Sequence, residues 1–232
     1  MNQHPAAPVI AIDGPSGSGK GTVSRRVAAA LGWHFLDSGA LYRILALASK
    51  QAQVEAADAE RLRTLAAGLR IEFKPPVAAE EQILLNGRDV TQAVRSEECG
   101  KLASELAVIP QVRESLKNLQ RSFCRAPGLV ADGRDMGTVI FPDAGLKIYL
   151  TASPGERAQR RYNQLKEKGL NANLPALLRD IAARDARDQN RAVSPLKPAA
   201  EAVVLDTTGT DVEQVVATVL AMARSRLGLK TG

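Results

Sequence analysis

Val9-Ile10-Ala11-Ile12-Asp13-Gly14-Pro15-Ser16-Gly17-Ser18-Gly19-Lys20-Gly21-Thr22 runs from an apolar stretch through a glycine-rich loop into a helical pattern. Strand, loop and helix in that order make a phosphate cradle. The glycines let the backbone turn tightly and aim N–H groups inward, and Lys20 adds a mobile cation where a helix presents its positive end. All nine residues Gly14, Pro15, Ser16, Gly17, Ser18, Gly19, Lys20, Gly21 and Thr22 are therefore candidates for holding a polyphosphate. The spacing of Gly14 and Gly19-Lys20 is that of a Walker A loop, with one departure. The residue after the lysine is ordinarily Ser or Thr, which holds Mg²⁺. Here it is Gly21, and the hydroxyl comes one position later at Thr22, a candidate for holding the metal, directly or through water.

Outward from the loop, the pattern predicts strands over 9–13 and 33–37 around a helix from Lys20 to Leu31, which is apolar at Val23, Val27, Ala28 and Leu31. A helix is expected over 39–53. Residues 68–95 change character, with apolar runs at 69–73 and 83–85, Pro75-Pro76 between them and the hairpin signal Asn86-Gly87. They read as an inserted small antiparallel sheet. Helices follow over 96–107 and 112–123, then strands at 129–131 and 146–150, two helices through a basic segment, a strand at 203–205 and a final helix capped by Asp211. The alternation predicts an α/β fold of the P-loop NTPase type, with a parallel central sheet flanked by helices and ligands at the carboxyl ends of the strands.

With 232 residues and 45% hydrophobic content, the chain can bury a substantial core. Its formal charge is +6, and residues 157–191 hold nine basic side chains against four acids. Nearly all of the excess lies in one segment, which suits a lid folding over nucleotide phosphates rather than a stripe for nucleic acid. Aromatic content of 3% leaves little for stacking bases along a strand. Cys99 and Cys124 show no metal spacing and are expected as reduced thiols. The beginning lacks a basic stretch ahead of an apolar one, and no uncharged run reaches the roughly 18 residues that span a bilayer. A cytoplasmic protein without membrane or nucleic-acid partners is expected.

Several other clusters should reach the same rim. Asp37-Ser38-Gly39-Ala40-Leu41-Tyr42-Arg43 leaves the second strand, so Ser38 can cap a helix and Arg43 can project toward a second anion. Ala131-Asp132-Gly133-Arg134-Asp135 ends another strand, where the carboxylates can serve Mg²⁺ or a substrate donor and Arg134 can fork onto phosphate. Arg184, Asp188 and Arg191, at i, i+4 and i+7, share a helix face. Arg157, Arg160 and Arg161 form a further group suited to bidentate phosphate binding. His4 and His34 stand apart from any ligand set, and Trp33 and Phe35 read as core.

In four segments the sequence resembles the bacterial cytidylate kinase family over nearly its full length. They are 13–22, Leu36-Asp-Ser-Gly-Ala-Leu-Tyr-Arg43, Ala131-Asp-Gly-Arg-Asp-Met-Gly-Thr138, and Arg184-Asp-Ala-Arg-Asp-Gln-Asn-Arg191 followed by Pro195-Leu196. The resemblance implies a single P-loop kinase chain. Its core would lie at about 1–38, 127–155 and 192–232, its monophosphate-binding part at about 39–126 with the insert at about 68–95, and its lid at about 156–191. It implies ATP and Mg²⁺ as donor and cofactor and CMP and dCMP as acceptors; a monomer is expected because no exposed apolar stripe compels an oligomer. Lys20 and the loop amides would hold the ATP phosphates, and Arg43, Arg134 and Arg191 the monophosphate. Ser38 would line the acceptor pocket. Ser104, Arg113 and Asp132 would read cytosine, and Arg184 and Asp188 would reach ribose and nearby phosphate. Arg157 and Arg161 would belong to the lid and, with Lys20, Arg134 and Arg191, serve the transfer. Read alone, Ser104 and Arg113 look like helix-surface residues. A P-loop kinase for UMP, AMP, shikimate or gluconate, and a nucleic-acid-binding ATPase, stay open as alternatives.

Overall fold

The computed structural model describes residues 7–77, 80–167 and 169–229. His4, Lys168 and residues 78–79 of the expected insert lie outside the described residues. The chain forms two compact units, Met1–Asp37 with Gln120–Gly232, and Ser38–Leu119.

The first unit is built on five parallel strands: β1 (Val9–Asp13), β2 (His34–Asp37), β6 (Leu129–Asp132), β7 (Leu146–Thr151) and β8 (Val203–Asp206). Their spatial order is β2-β6-β1-β7-β8. Strand β1 is central and buried throughout, which is why it reads as an unbroken apolar run rather than an alternation. Parallel register sets Ile12 beside Asp132 on one flank, and Asp13 beside Tyr149 on the other. The chemistry-bearing ends of β1 and β6 thus leave the sheet side by side. Helix α1 (Lys20–Leu31) covers it with Val23, Val27 and Ala28, and α9 (Val212–Leu227) with Val215, Val216, Val219 and Ala223, against Ile10, Ile12, Val130, Leu146, Ile148 and Leu150. Asp211 caps α9 as expected, its carboxylate accepting from Glu213 N at 3.2 Å. Trp33 and Phe35 pack on this core. The basic segment forms α7 (Pro154–Glu167) and α8 (Leu174–Gln189).

The second unit joins α2 (Ser38–Gln51), α3 (Ala59–Ala67), α4 (Thr91–Val94), α5 (Glu97–Leu106) and most of α6 (Pro110–Arg121) to a three-stranded antiparallel sheet. Its strands are β3 (Ile71–Val77), β4 (Glu80–Leu85) and β5 (Arg88–Asp89). Asn86 and Gly87 turn β4 into β5 with φ of 51° and 78°, the left-handed pair a tight hairpin demands. β3 runs on through Pro75-Pro76, past the apolar run at 69–73. β3 is an edge strand, where a missing N–H is tolerated, and its register shifts between Lys74 and Val77. Helix α3 has no counterpart in the sequence reading, although Asp58 caps it through Arg61 N and Leu62 and Ala66 are buried.

No helix of the described residues is long and apolar enough to cross a membrane. Cys99 and Cys124 are both free.

Candidate active site

Between β1 and α1 the chain makes the turn that its glycines foreshadow. Gly14 has φ of 145°, and a Cβ there would lie 1.9 Å from the backbone oxygen of Leu150 on β7, so only glycine permits this approach. Gly19, with φ of 92°, is the N-cap of α1 and has no side chain with which to cap it. The first turn of α1 carries no acid. Its amides are therefore available to an external anion rather than to the chain's own carboxylates. Lys20 is buried and donates from Nζ to Pro15 O at 2.8 Å, across its own loop. Gly21 meets Asp132: a Cβ at position 21 would stand 3.3 Å from Asp132 Oδ2. A carboxylate of β6 thus crowds the space in which a Walker A hydroxyl would start, and Thr22 is exposed on the first turn of α1.

Beyond Asp132 the chain continues through Gly133, Arg134 and Asp135 into one turn of π-helix, Met136–Ile140. Asp13, at the end of β1, is buried and takes both amides at the start of that turn, Oδ1 from Met136 N and Oδ2 from Gly137 N, each at 2.8 Å. At the other end Arg121 donates from Nε to Ile140 O at 2.9 Å and from Nη2 to Val139 O at 3.2 Å. Arg134 donates from Nε to Asp188 Oδ2 at 3.0 Å and from Nη1 to Gly133 O at 3.1 Å. Asp188 is buried near the end of α8, and Arg184 lies one turn earlier. Arg191 does not share their helix face as the i, i+7 spacing predicts, because α8 ends at Gln189 with Asn190 as its C-cap. It folds back instead, its Nε donating to Asp188 O at 3.2 Å.

Arg157 and Arg161 part company. Arg161 donates to Gln164 Oε1 at 3.2 Å on α7. Arg157 is buried, and each of its guanidinium nitrogens donates within the protein: Nε to Ala152 O at 2.9 Å, Nη1 to Ser16 O at 3.0 Å and Nη2 to Asp185 Oδ2 at 2.6 Å. A residue expected in the lid therefore grips the glycine-rich loop from behind. Its neighbour Arg160 does the same at the next carbonyl but one. It approaches Ser18 O at 3.4 Å and holds Thr207 through Oγ1 at 3.1 Å and O at 2.6 Å, while Thr207 Oγ1 donates to Ser18 O at 3.1 Å. Two carbonyls of the loop, Ser16 O and Ser18 O, are thus held from α7 and from Thr207.

In the second unit Arg43 donates from Nη1 to Val94 O at 3.0 Å, at the end of α4, and to Ser96 O at 3.1 Å, at the N-cap of α5. Ser104 is buried on α5, and Arg113 is buried on α6, donating to Ala107 O at 3.1 Å with its Cζ 5.9 Å from the Tyr42 ring centroid. Neither is the helix-surface residue that its local sequence suggests. Ser38 is buried as the first residue of α2.

Burial sets the electrostatics of the strand ends. It pushes the Asp13 carboxyl up to about 7 against the pull of the two amides that it accepts. Lys20 is driven down by burial and by the charge of Arg134, and Asp132 is driven up by burial although Lys20 opposes it. For Asp188, burial acts upward but the guanidinium groups of Arg134, Arg191 and Arg184 outweigh it, so its carboxyl sits below the usual range. The first unit therefore gathers Lys20, Arg134, Arg184 and Arg191 where they lack water's screening and lean on Asp132 and Asp188. Asp13, Arg121, Asp185 and Thr207 were not candidates on sequence. Only Asp13 carried a signal, as a carboxylate ending a wholly apolar strand. Among the described residues no group of three or more His, Cys, Asp or Glu could hold a metal ion.

A glycine-rich loop on the central strand of a parallel sheet, backed by a lysine and buried arginines and facing the end of the neighbouring strand, defines a P-loop phosphotransferase. The cytidylate kinase family model matches residues 10–225. The cytidylate kinase of Marinomonas sp. (strain MWYL1) is 56% identical over 92% of this chain and 94% of its own, and that of Colwellia psychrerythraea (strain 34H) 53% identical over 96% and 98%. A solved structure of an uncharacterised protein from Eubacterium ventriosum shares the fold, with a TM-score of 0.53 at 11% identity over 94% of this chain and 99% of that one. The chain belongs to the cytidylate kinase family, and its reaction is the ATP-dependent phosphorylation of CMP.

Proposed function

We propose that the residues assembled in the first unit bring two polyanions together without a nucleophile or general base of their own. A phosphate oxygen of CMP or dCMP forms a bond to the γ-phosphorus of ATP, the bond to the β–γ bridging oxygen breaks, and ADP leaves with that oxygen's electron pair. The acceptor phosphate is already largely ionised near neutral pH, so no proton has to be removed first. The work is positioning and charge compensation. The loop amides of 14–22 and Lys20 hold the donor phosphates. Arg134 and Arg191 hold the acceptor phosphate, with Arg184 and Asp188 at ribose and nearby phosphate, and Arg161 serves the lid. Within the second unit, Arg43 and Ser38 serve the acceptor's phosphate side, and Ser104 and Arg113 its cytosine. Arg157 acts as a positioning residue of the loop through Ser16 O.

Asp132 is better placed for the donor's metal than for cytosine. Its carboxylate adjoins Gly21 and Lys20, and Mg²⁺ is commonly held by one or two carboxylates plus phosphate oxygens and water rather than by a protein cage. Asp132, with Thr22, would hold Mg²⁺ there, and the ion would supply charge neutralisation of the phosphates. The same reading carries a cytoplasmic monomer that needs neither nucleic acid nor membrane.

The observation that carries this reading is the cluster of buried Lys20 and Asp132 with half-buried Arg134 at the ends of β1 and β6, and buried Asp188 of α8 paired to Arg134. The test is ADP release measured with CMP, dCMP, UMP, AMP, shikimate and gluconate as acceptors, in the wild type and in Arg134→Ala. CMP and dCMP should give the highest kcat/KM, and Arg134→Ala should lose rate and CMP affinity while the ATP KM stays within about twofold. Comparable turnover on AMP or a non-nucleotide acceptor, or an Arg134→Ala enzyme with normal CMP dependence, refutes it.

A further inference from the structure

Asp13 is a buried carboxylate that the phosphoryl transfer does not use. It is 3% exposed and 123 residues away in sequence from the amide it accepts at Met136. Burying a charge is costly unless it is bonded, so the position calls for a structural employment. The turn that it meets is itself unusual. A π-helical turn is rare, is held by few internal bonds and is found preferentially at functional sites. Here Val139 N and Ile140 N both reach Asp135 O, at 2.9 and 3.2 Å, and Phe141 N reaches Met136 O at 2.7 Å.

We infer that Asp13 and Arg121 are positioning residues: they hold the π-turn Met136–Ile140 by its two ends and thereby fix Arg134 for the acceptor phosphate. The inference rests on the acceptor-site reading of Arg134 given above. Arg134 lies on a tether of three residues, Gly133, Arg134 and Asp135, between two fixed points. One is the end of β6, tied to β1 by register and by Gly133 N donating to Ile12 O at 3.1 Å. The other is the π-turn. Asp13 takes the turn's two leading amides with one oxygen each, and Arg121 gives two nitrogens to its trailing carbonyls. Four hydrogen bonds, two to the Asp13 carboxyl and two from the Arg121 guanidinium, thus hold five residues from outside. Asp13 also immediately precedes Gly14, so the strand that carries the donor's loop holds the arginine meant for the acceptor. A shift of an ångström in that tether would misplace the guanidinium by as much, and misplacement of that order can lower a rate about a hundredfold.

The test uses Asp13→Asn, which keeps shape but turns an NH₂ toward one of the two amides, and Arg121→Met, which keeps the stem without the donors. Initial rates with CMP and ATP varied separately should show the CMP KM raised about tenfold or more with kcat reduced. In Arg121→Met, remote from the donor's loop in sequence, the ATP KM should hold within about twofold. Amide hydrogen exchange at Met136 and Gly137 should quicken in Asp13→Asn. Each substitution should add less than about twofold in an Arg134→Ala background, since a residue acting through Arg134 has nothing left to act on there. Unchanged CMP dependence in folded Arg121→Met, or full additivity with Arg134→Ala, overturns the inference and leaves the acceptor-site reading standing. An Arg134→Ala enzyme with normal CMP dependence overturns both. If Asp13→Asn does not fold, Arg121→Met and its double variant still decide.

Discussion

Replacing Arg157 by methionine separates two accounts of the same residue. As a lid arginine, Arg157 would contribute to turnover and little to stability. Its side chain is instead 4% exposed and is paired with Asp185, whose side chain is 14% exposed. Methionine keeps most of the stem and its packing but deletes three donors, so Ala152 O, Ser16 O and the Asp185 carboxylate all lose a partner. Removing one member of a buried pair costs about 3–5 kcal/mol, because the other charge is left uncompensated. For a chain of this size each kcal/mol moves the thermal midpoint by roughly 2–4 °C, so the loss should appear as about 6–20 °C. Differential scanning fluorimetry or calorimetry reads that shift, and urea unfolding gives the free energy independently. Activity should fall as well, since Ser16 O is released and the loop loses a brace. The double variant Arg157→Met with Asp185→Leu should regain part of the stability, as no charge is then stranded, but not the activity. An Arg157→Met enzyme with an unshifted midpoint and turnover reduced by orders of magnitude would refute this reasoning and return the residue to the lid.

Four further outcomes follow from the same geometry. Lys20→Ala should lower kcat by about a hundredfold or more while the unfolding transition persists, and normal turnover would remove Lys20 from the cradle. Burial holds the ammonium of Lys20 below its ordinary range, and polyphosphate beside it would favour the charged form, so ATP binding at pH 8 should take up a proton; calorimetric titration in two buffers of different ionisation enthalpy measures this, and a heat that is independent of buffer contradicts it. Asp13 titrates near 7 in the folded protein against 3.8 for the free group, so the folded state binds the extra proton between those values. Stability from this group is therefore fully present below about pH 4 and declines as pH rises toward 7. The midpoint of the wild type, compared with that of Asp13→Asn, should fall between pH 5 and 7.5, and parallel pH dependences would contradict it. Gly14→Ala should abolish accumulation of folded protein, because its Cβ would overlap the Leu150 carbonyl, a backbone atom that cannot swing aside; a soluble variant with a normal melting curve would show that the approach is looser than described.

What could be read in advance was what local rules determine. The glycine spacing fixed β1 and α1 to the residue, Asn86-Gly87 fixed a turn, and Asp211 fixed a cap, because each acts on neighbours within a few positions. What escaped depends on partners far along the chain. Arg157 carries no mark that distinguishes it from Arg161. They share a helix, and only the packing of α7 behind the loop buries one and leaves the other half-exposed. The π-turn was not read from its own residues, and the side chains bonded to its two ends, Asp13 and Arg121, lie 123 and 19 positions away. The i, i+7 pairing of Arg184 and Arg191 assumed that α8 continues, whereas it stops at Gln189 and Arg191 returns to the same carboxylate's backbone. That β3 would extend through Pro75-Pro76 was not legible either, because proline's edge-strand exemption depends on which strands lie beside it.

The acids of α8 show why so many cations can be buried here before any phosphate arrives. Asp185 and Asp188, three residues apart and so on one side of the helix, each take a different arginine: Asp185 takes Arg157, which braces the loop, and Asp188 takes Arg134, which is meant for the acceptor. One helix thus compensates both halves of the charge that two polyanions would otherwise have to neutralise on binding. With Arg134 serving the acceptor as proposed, the cost is that substrate phosphate must compete with Asp188 for it, which weakens binding in the ground state. The gain is that Arg134 stays near its working position and need not reorganise as charge builds on the transferred group, and it is this preorganisation, more than the strength of any single contact, that lowers a barrier. On the acceptor-site reading of Arg134, Asp188 is as much a part of the phosphate site as that arginine is, although its own charge opposes the substrate's.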